Sequence, residues 1–335
     1  MAGRAELSLV VCTYRRPAAM AGLLEALRVQ TRPPDEILVV DASPDDQTGS
    51  LVRSAALPGL RYEKAPPEHR GLTRQRNYGV ARAAGEVIAF LDDDAVPAPD
   101  YCAQILACFD RHPEAVGVGG FVEGVPWRPA GEEDPALSSF RFAGWERRED
   151  LRWRLRRVLG LAAALPPGWM PPAGHGRPVG FLPPDGEDHP VESLLGCAMA
   201  WRRRVFESLR FSPYFEGYGL YEDLDFCVRA ARLGPLLLCT RARLRHEHAP
   251  AGRPAAFRYG VMVVRNGWFV WRRRWPRPGA ADRVRWWATT LVLAGCRLAG
   301  GAGGWQTALL ETLGRLWAVP GVLLRPPRPP REDRP

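Results

Sequence analysis

GEVIAFLDDDAVP, residues 85 to 97, sets an apolar run directly against three consecutive carboxylates. Val87 to Leu91 has the length of a strand buried on both faces of a parallel sheet, and it lacks the alternation of a half-exposed one. Asp92, Asp93 and Asp94 stand at its carboxyl end, which is where ligands gather in open α/β sheets. Packing three negative charges against a hydrophobic strand end is costly unless a cation or strong donors compensate them, and a divalent metal is the economical solution. The competing reading is a solvated acidic turn closed by Pro97.

Upstream, Leu7 to Cys12 reads as another buried strand, with Thr13-Tyr14-Arg15-Arg16-Pro17 as the turn after it. Pro17 suits the first turn of a helix whose apolar residues Met20, Leu23, Leu24 and Leu27 recur at helical spacing. Glu36 to Val40 is a second strand ending in Asp41, and a βαβ unit places both strand ends on one side, so Asp41 belongs with the acidic triplet. Leu60 to Glu63 is a further short strand. Arg70, Arg74 and Arg76 then open a helix running to about residue 84, an arrangement that suits a bound phosphate. The plainer alternative for these arginines is a solvated helix face.

Downstream, helix Pro99 to Arg111 and strand Val116 to Val122 continue the alternation. From about residue 123 to 190 it breaks into a Pro- and Gly-rich insertion with one expected helix, Glu146 to Ala164, whose Leu151, Leu155, Val158, Leu159 and Ala162 form an apolar face. Long irregular insertions of this kind are functional lids or disordered segments. Strand Leu194 to Trp201 and a helical start at Arg203 to Leu209 follow. A second acidic group, Glu222-Asp223-Leu224-Asp225, opens a helix that Gly234-Pro235 ends, and capping alone would account for it. Arg245-His246-Glu247-His248 comes after an apolar strand, and histidines downstream of an acidic triplet make metal ligation plausible.

Composition narrows the classes. The chain has 335 residues, 46% hydrophobic content and a formal charge of +9. That is enough for one large domain with an appendage, and not a disordered composition. All the basic residues but Lys64 are arginine, and no RRM, zinc-finger or helix-turn-helix signature accompanies them, so nucleic acid is not expected as a partner. The seven cysteines form no CxxC pair, which fits a reducing cytosol. The apolar run before Arg15 and Arg16 is too short for a signal peptide, and the expected location is cytoplasmic, peripheral on the inner face of the cell membrane. The region from Pro250 is dense in Arg and Trp. Its apolar stretch Trp286 to Leu310 is interrupted by Arg297 and by glycines, so the sequence points to an interfacial element on an anionic membrane, with packed helices as the alternative.

Together the motifs VVCTYRRP, VVDAS, RGLTRQRNYGVARAAGEVIAFLDDD, LLGCAMAWRR, GYGLYEDLDFCVRAARLG and LRHEHA, in this order, resemble a family 2 glycosyltransferase of the GT-A fold, over roughly Leu7 to His248. The resemblance implies a Rossmann-like, mixed and mainly parallel sheet flanked by helices. Residues 1–249 would form the catalytic domain: a nucleotide-sugar half to about 122, the insertion to about 190, then an acceptor half. Residues 250–324 would form a helical appendage and 325–335 a disordered tail. The implied reaction is inverting transfer of one sugar from a UDP, dTDP or GDP sugar to a glycan or lipid-linked acceptor, in cell-envelope or related glycan synthesis.

By the same resemblance Thr13 and Asp41 meet the nucleoside and Arg76 lies near the base or diphosphate. Asp92 and Asp94 frame a DxD motif, Asp94 is the direct ligand of Mn²⁺ or Mg²⁺, and Asp93 is a ribose or supporting contact. Asp223 is the catalytic base, with Glu222 the alternative, and His246 completes the metal site. Two departures are visible. Asp41-Ala42-Ser43 stands where the family commonly has Asp-Asp-Gly-Ser, and the QxxRW motif of processive synthases is absent. The rival classes are a sugar nucleotidyltransferase, which would release pyrophosphate, and a non-catalytic sugar-nucleotide- or membrane-binding protein.

Overall fold

The computed structural model describes residues 6–132, 138–215, 217–247, 254–300 and 303–328. Its strands are β1 (Leu7–Thr13), β2 (Glu36–Asp41), β3 (Leu60–Lys64), β4 (Val87–Asp92), β5 (Ala95–Pro97), β6 (Gly117–Val122), β7 (Trp127–Pro129), β8 (Ser139–Phe142), β9 (Trp145–Arg148), β10 (Asp188–Val191), β11 (Ala198–Arg202) and β12 (Leu236–His246). Its helices are α1 (Pro17–Arg28), α2 (Gln47–Ser54), α3 (Leu72–Val80), α4 (Tyr101–Arg111), α5 (Leu151–Val158), α6 (Glu222–Ala230), α7 (Ala256–Arg274), α8 (Ala280–Gly300) and α9 (Trp305–Leu324). The chain divides into two units, Met1–Gly124 with Pro184–Arg253, and Val125–Pro183 with Pro254–Pro335.

In the first unit the sheet runs in the order β10-β12-β6-β11-β4-β1-β2-β3, and β5 pairs with β12. Strands β1 to β4 are parallel to their neighbours among themselves, while β11 runs antiparallel between β4 and β6. This is the mixed, mainly parallel α/β sheet that the unbroken apolar strands call for. Strands β1, β2 and β4 are buried almost throughout, since helices cover a sheet of this kind on both faces. The register pairs Thr13 with Asp41 and Cys12 with Asp92, so three neighbouring strands end along one edge.

Helix α3 lies close against these strands because Gly79 lets it. A Cβ there would come within 2.5 Å of Val10 Cγ1 and 3.3 Å of Val40 Cγ2. From the same helix Gln75 Nε2 donates to the carbonyls of Thr13 at 3.0 Å and Val40 at 2.9 Å, tying together the ends of β1 and β2.

The second unit combines the Pro- and Gly-rich insertion with the C-terminal helices. Its sheet is β7-β9-β8. Glu146 to Arg148, expected inside a helix, belong to strand β9 instead, and α5 is confined to Leu151–Val158. The cause is Glu146, which accepts from Ser139 Oγ at 2.8 Å, Arg141 Nε at 2.9 Å and Arg128 Nη2 at 3.0 Å across the hairpin. The face of α5 is also the reverse of the expected one. Trp153 and Arg156 are buried, whereas Leu151, Leu155, Val158 and Leu159 are exposed. Trp153 packs on Phe181 with ring centroids 4.9 Å apart, and Arg156 donates to the His175 carbonyl.

The tryptophans that composition points toward a membrane surface form this unit's core. Trp268, Trp271 and Trp286 are buried, with centroid separations of 5.0 Å for Trp268–Trp286 and 5.4 Å for Trp271–Trp286. The insertion closes over them. His175 Nε2 meets Thr290 Oγ1 at 3.0 Å, and Trp271 Nε1 donates to Pro172 O at 2.8 Å. At Gly174, where φ is +69°, a Cβ would lie 2.5 Å from the Trp286 ring. Burial pushes the His175 imidazole down to about 3, so it is neutral in this cluster. Glu216, His248 and the tail from residue 329 lie outside the described residues.

The α3 contact gives a stability test. Gly79→Val would force a side chain into Val10 and Val40, and overpacking of this kind costs about 1–3 kcal/mol. Urea denaturation of the two proteins should show a lower midpoint for the variant at an unchanged slope, and an unchanged midpoint would mean that the helix is free to move off the sheet.

Candidate functional site

The common edge of β1, β2 and β4 carries the acidic residues, and three further segments converge on it. Antiparallel pairing of β12 with β5 sets His246 opposite Ala95, and Glu247 N donates to Asp94 O at 3.0 Å. Strand β11 begins only at Ala198, so the preceding Gly196 and Cys197 form a turn toward the edge. Helix α6 begins with Glu222 and Asp223 after Tyr221, which takes the left-handed conformation with φ of +74°. A non-glycine residue held there is strained, which is common where a turn must aim a functional side chain.

Compensation of the acidic triplet comes first from the protein. Arg16 places Nη1 at 2.7 Å from Asp93 Oδ1 and Nη2 at 2.6 Å from Asp94 Oδ2, one planar fork spanning two carboxylates. Asp93 also accepts from Thr13 Oγ1 at 2.7 Å. His246 Nε2 lies 2.9 Å from Asp94 Oδ1 and 3.6 Å from Asp92 Oδ2. Burial raises the Asp93 carboxyl to about 6 in spite of Thr13 and Arg16. Burial by itself would lower His246, but its hydrogen bond to Asp94 and the charges of Asp92 and Asp94 outweigh that and raise it.

Arg76 joins this group to the second acidic pair. It is 2% exposed, donates Nη1 to Glu222 Oε1 at 2.5 Å and Nη2 to Gly196 O at 3.0 Å, and stands 3.8 Å from Asp92 Oδ1. Phe90 and Phe211 flank its guanidinium at 5.6 and 5.2 Å. Gly196 N in turn donates to Asp223 Oδ2 at 3.0 Å, and Leu224 N donates to Asp223 Oδ1 at 2.7 Å. Glu222 is buried against Arg76, whereas Asp223 is half-buried. Burial and the Asp223 charge push Glu222 up to about 8 against the pull of Arg76. Burial also raises Asp223, against the two backbone N–H groups that favour its charged form.

The other expected residues are placed as follows. Asp41 is fully buried and accepts from Ser43 N at 2.7 Å, Ser43 Oγ at 2.5 Å and Tyr62 OH at 2.9 Å. Arg70 is turned to the Tyr14 hydroxyl at 2.5 Å, and Arg74 donates to Glu68 O at 2.9 Å. Arg16 and the Gly196-Cys197 turn were not marked by sequence reasoning. Arg16 stands just past a strand end, and Gly196 and Cys197 fall inside the expected strand Leu194 to Trp201, which the structure shortens to Ala198–Arg202.

For a metal ion, ligand atoms of Asp92, Cys197 and His246 lie within 4.8 Å of one another. Burial, with the charges of Asp92 and Asp223, holds the Cys197 thiol well above its usual pKa. Its sulfur is moreover a soft donor, which does not suit Mn²⁺ or Mg²⁺. Carboxylate oxygen and imidazole nitrogen remain, a donor set that suits Mn²⁺ and, with more oxygen, Mg²⁺. A second group, Cys108, Asp188 and Cys239, is as compact, but Arg111 holds Asp188 through two bonds of 2.9 and 3.1 Å.

The Glu222 environment predicts a pH effect. Between the ordinary glutamate value of about 4.3 and the raised one, the folded protein holds a proton that the unfolded chain has released, so unfolding free energy falls as pH rises through that window. Glu222→Gln removes this titration and should flatten the dependence measured by urea unfolding between about pH 5 and pH 8.5. An equally steep dependence in the variant would place the proton on another group.

Residues 8–155 match the sequence model described as Glycosyl transferase family 2. The glucosyl-dolichyl phosphate glucuronosyltransferase of Haloferax volcanii is 29% identical over 119 residues, covering 35% of this chain and 38% of that protein. The validoxylamine A glucosyltransferase of Streptomyces hygroscopicus subsp. limoneus is 34% identical over 105 residues, covering 30% and 23%. The chain thus spans less than two fifths of the length of these relatives. The mannosyltransferase PcManGT from Pyrobaculum calidifontis, solved with GDP-Man and Mn²⁺, superposes with a TM-score of 0.54 at 18% identity, over 94% of this chain and 88% of that one. That likeness gives the fold, the GT-A type of α/β sheet, and the matched segment holds β1, the acidic triplet and α3 together. Within residues 8–155, then, the chain is similar to glycosyl transferase family 2.

Proposed function

We propose that the chain moves one sugar, with inversion, from a nucleotide-diphospho-sugar to an acceptor hydroxyl. In this reading Asp223 is the general base, and Asp92, Asp94 and His246 hold Mn²⁺ or Mg²⁺. The observation that carries it is the division of the carboxylates. The triplet at the end of β4 is met by Arg16 and His246, whereas Asp223 stands apart, half-buried, with no side-chain cation within 4.0 Å among the described residues. A bound cation supplies Lewis acidity to the departing diphosphate. The acceptor oxygen forms its bond to the anomeric carbon as the bond from that carbon to the phosphate oxygen breaks. The hydroxyl proton passes to an Asp223 carboxylate oxygen.

Glu222 is less suited to the base role, because Arg76 occupies it. Arg76 would act by holding Glu222 and the Gly196 turn in place, and Thr13 by orienting Asp93. Asp41 would meet the nucleoside by exchanging one of its present hydrogen bonds. The Pyrobaculum neighbour, with GDP-Man and Mn²⁺, supports a metal and a GDP sugar, and UDP and dTDP sugars are the other donors of this reading. The Haloferax relative, named for a glucosyl-dolichyl phosphate, supports a lipid-linked acceptor, with a glycan as the other acceptor of this reading.

Asp223→Asn keeps shape and most hydrogen bonding but removes the basic carboxylate. Single-turnover transfer should fall about 10²- to 10⁴-fold while donor affinity stays within a few-fold. A cap, by contrast, is worth about 1 kcal/mol of stability, and losing it would move the melting temperature and leave turnover alone. Transfer surviving within a few-fold would remove Asp223 from the chemistry and turn attention to Glu222.

A further inference from the structure

From Trp286 to Leu324 the sequence carries three charged residues, Arg297, Glu311 and Arg315. In the second unit these three face one another. Glu311 Oε2 accepts from Arg297 Nε at 2.6 Å and Oε1 from Arg315 Nη2 at 2.5 Å. The buried side of α9 is otherwise small or polar: Ala308, Thr312, Gly314 and Ala318 with Val322. Its outward side is apolar, with Leu310, Leu313, Leu316, Leu323 and two extremes, Trp317 at 72% exposure and Leu324 at 82%. A helix dissolved in water has the opposite arrangement, apolar within and charged without.

Three further features repeat that inversion. Helices α7 and α9 meet backbone to backbone, since a Cβ at Gly260 would lie 2.0 Å from Glu311 O and one at Gly314 would lie 2.0 Å from Phe257 O. Such small-residue contacts are how helices pack where lipid, and not water, is the solvent. Charged side chains in lipid likewise turn inward and pair with one another. In the later half of α8, Leu291 and Leu298 are exposed while Arg297 turns to Glu311. On α5 the buried positions are Trp153 and Arg156, and Leu151, Leu155, Val158 and Leu159 face out.

We infer that the outward faces of α9, α5 and the later half of α8 seat the second unit in the apolar layer of a membrane with anionic headgroups. Charge supplies the second half of the argument. Exposed Arg277, Arg283 and Arg285 precede the apolar run, Arg325 and Arg328 follow it, and Arg152 and Arg154 flank the leucines of α5. Arginines bordering an apolar face match anionic phosphates at the edge of a hydrocarbon layer. Twenty residues of α9 span about 30 Å, comparable to that layer's thickness. Trp286 and its neighbours, being buried, stabilise the unit and do not touch lipid.

The test uses the whole protein and vesicles of phosphatidylcholine, with and without phosphatidylglycerol. The expected results are co-sedimentation that phosphatidylglycerol strengthens and quenching of tryptophan emission by lipids labelled on the acyl chain. Leu313→Glu with Trp317→Glu, both outward, should lower the bound fraction about tenfold with the same thermal unfolding, as loss of buried apolar area on one face requires. No binding to either vesicle overturns the inference, as does binding that the paired variant leaves unchanged. A dimer in sedimentation velocity that the variant dissolves, without vesicle binding, also overturns it and gives the face to a second copy of the chain. None of these readouts involves nucleotide, so their failure and that of the transfer reading are separable.

Discussion

The planar fork of Arg16, closing on Asp93 and Asp94 at 2.7 and 2.6 Å, is the interaction on which the acidic edge of the first unit depends. Without it, buried carboxylates at the end of an apolar strand would repel one another at low local dielectric. With it and with His246, the strand can end in three aspartates and still pack. The edge is nonetheless poised: Asp92 is the most open of the three, with a side chain 34% exposed, and it stands 3.8 Å from Arg76 and 3.6 Å from His246. The edge is thus held by the protein's own cations and still retains one accessible carboxylate.

Arg76 extends the same logic across the unit. Its side chain is buried between aromatic rings, and its two nitrogens reach Glu222 and the Gly196 carbonyl, so α3, the turn before β11 and the start of α6 are held by one group. The Gly196 N–H then fixes Asp223. Helix α6 consequently presents two neighbouring carboxylates in different states, one paired and pushed up to about 8, the other half-buried and bound only by backbone donors. Neighbouring carboxylates whose environments differ are how protein sites separate acid and base roles.

The parallel strands and the acidic ends were legible because a strand buried on both faces reads as an unbroken apolar run, and Val87 to Leu91 is one. His246 was legible from its place after an apolar strand. Arg16 was not, since Arg15 beside it is chemically identical, and only the left-handed turn at Arg15, with φ of +56°, decides which of the two faces the aspartates. Nor was the role of Arg76, because pairing with Glu222, 146 residues away, has no local signal. In the second unit the period of α5 was visible but its direction was not. Periodicity shows that a helix has an apolar face, and packing of Trp153 and Arg156 put that face outside.

The account stands most directly on calorimetry of nucleoside diphosphates against the whole protein, with Mn²⁺ and with EDTA, for the native sequence and for Asp92→Asn and Asp94→Asn. It predicts tight binding only with metal and the native carboxylates, and a loss of at least about tenfold, worth about 1.4 kcal/mol, in either variant. Equal affinity in every one of these conditions would contradict it.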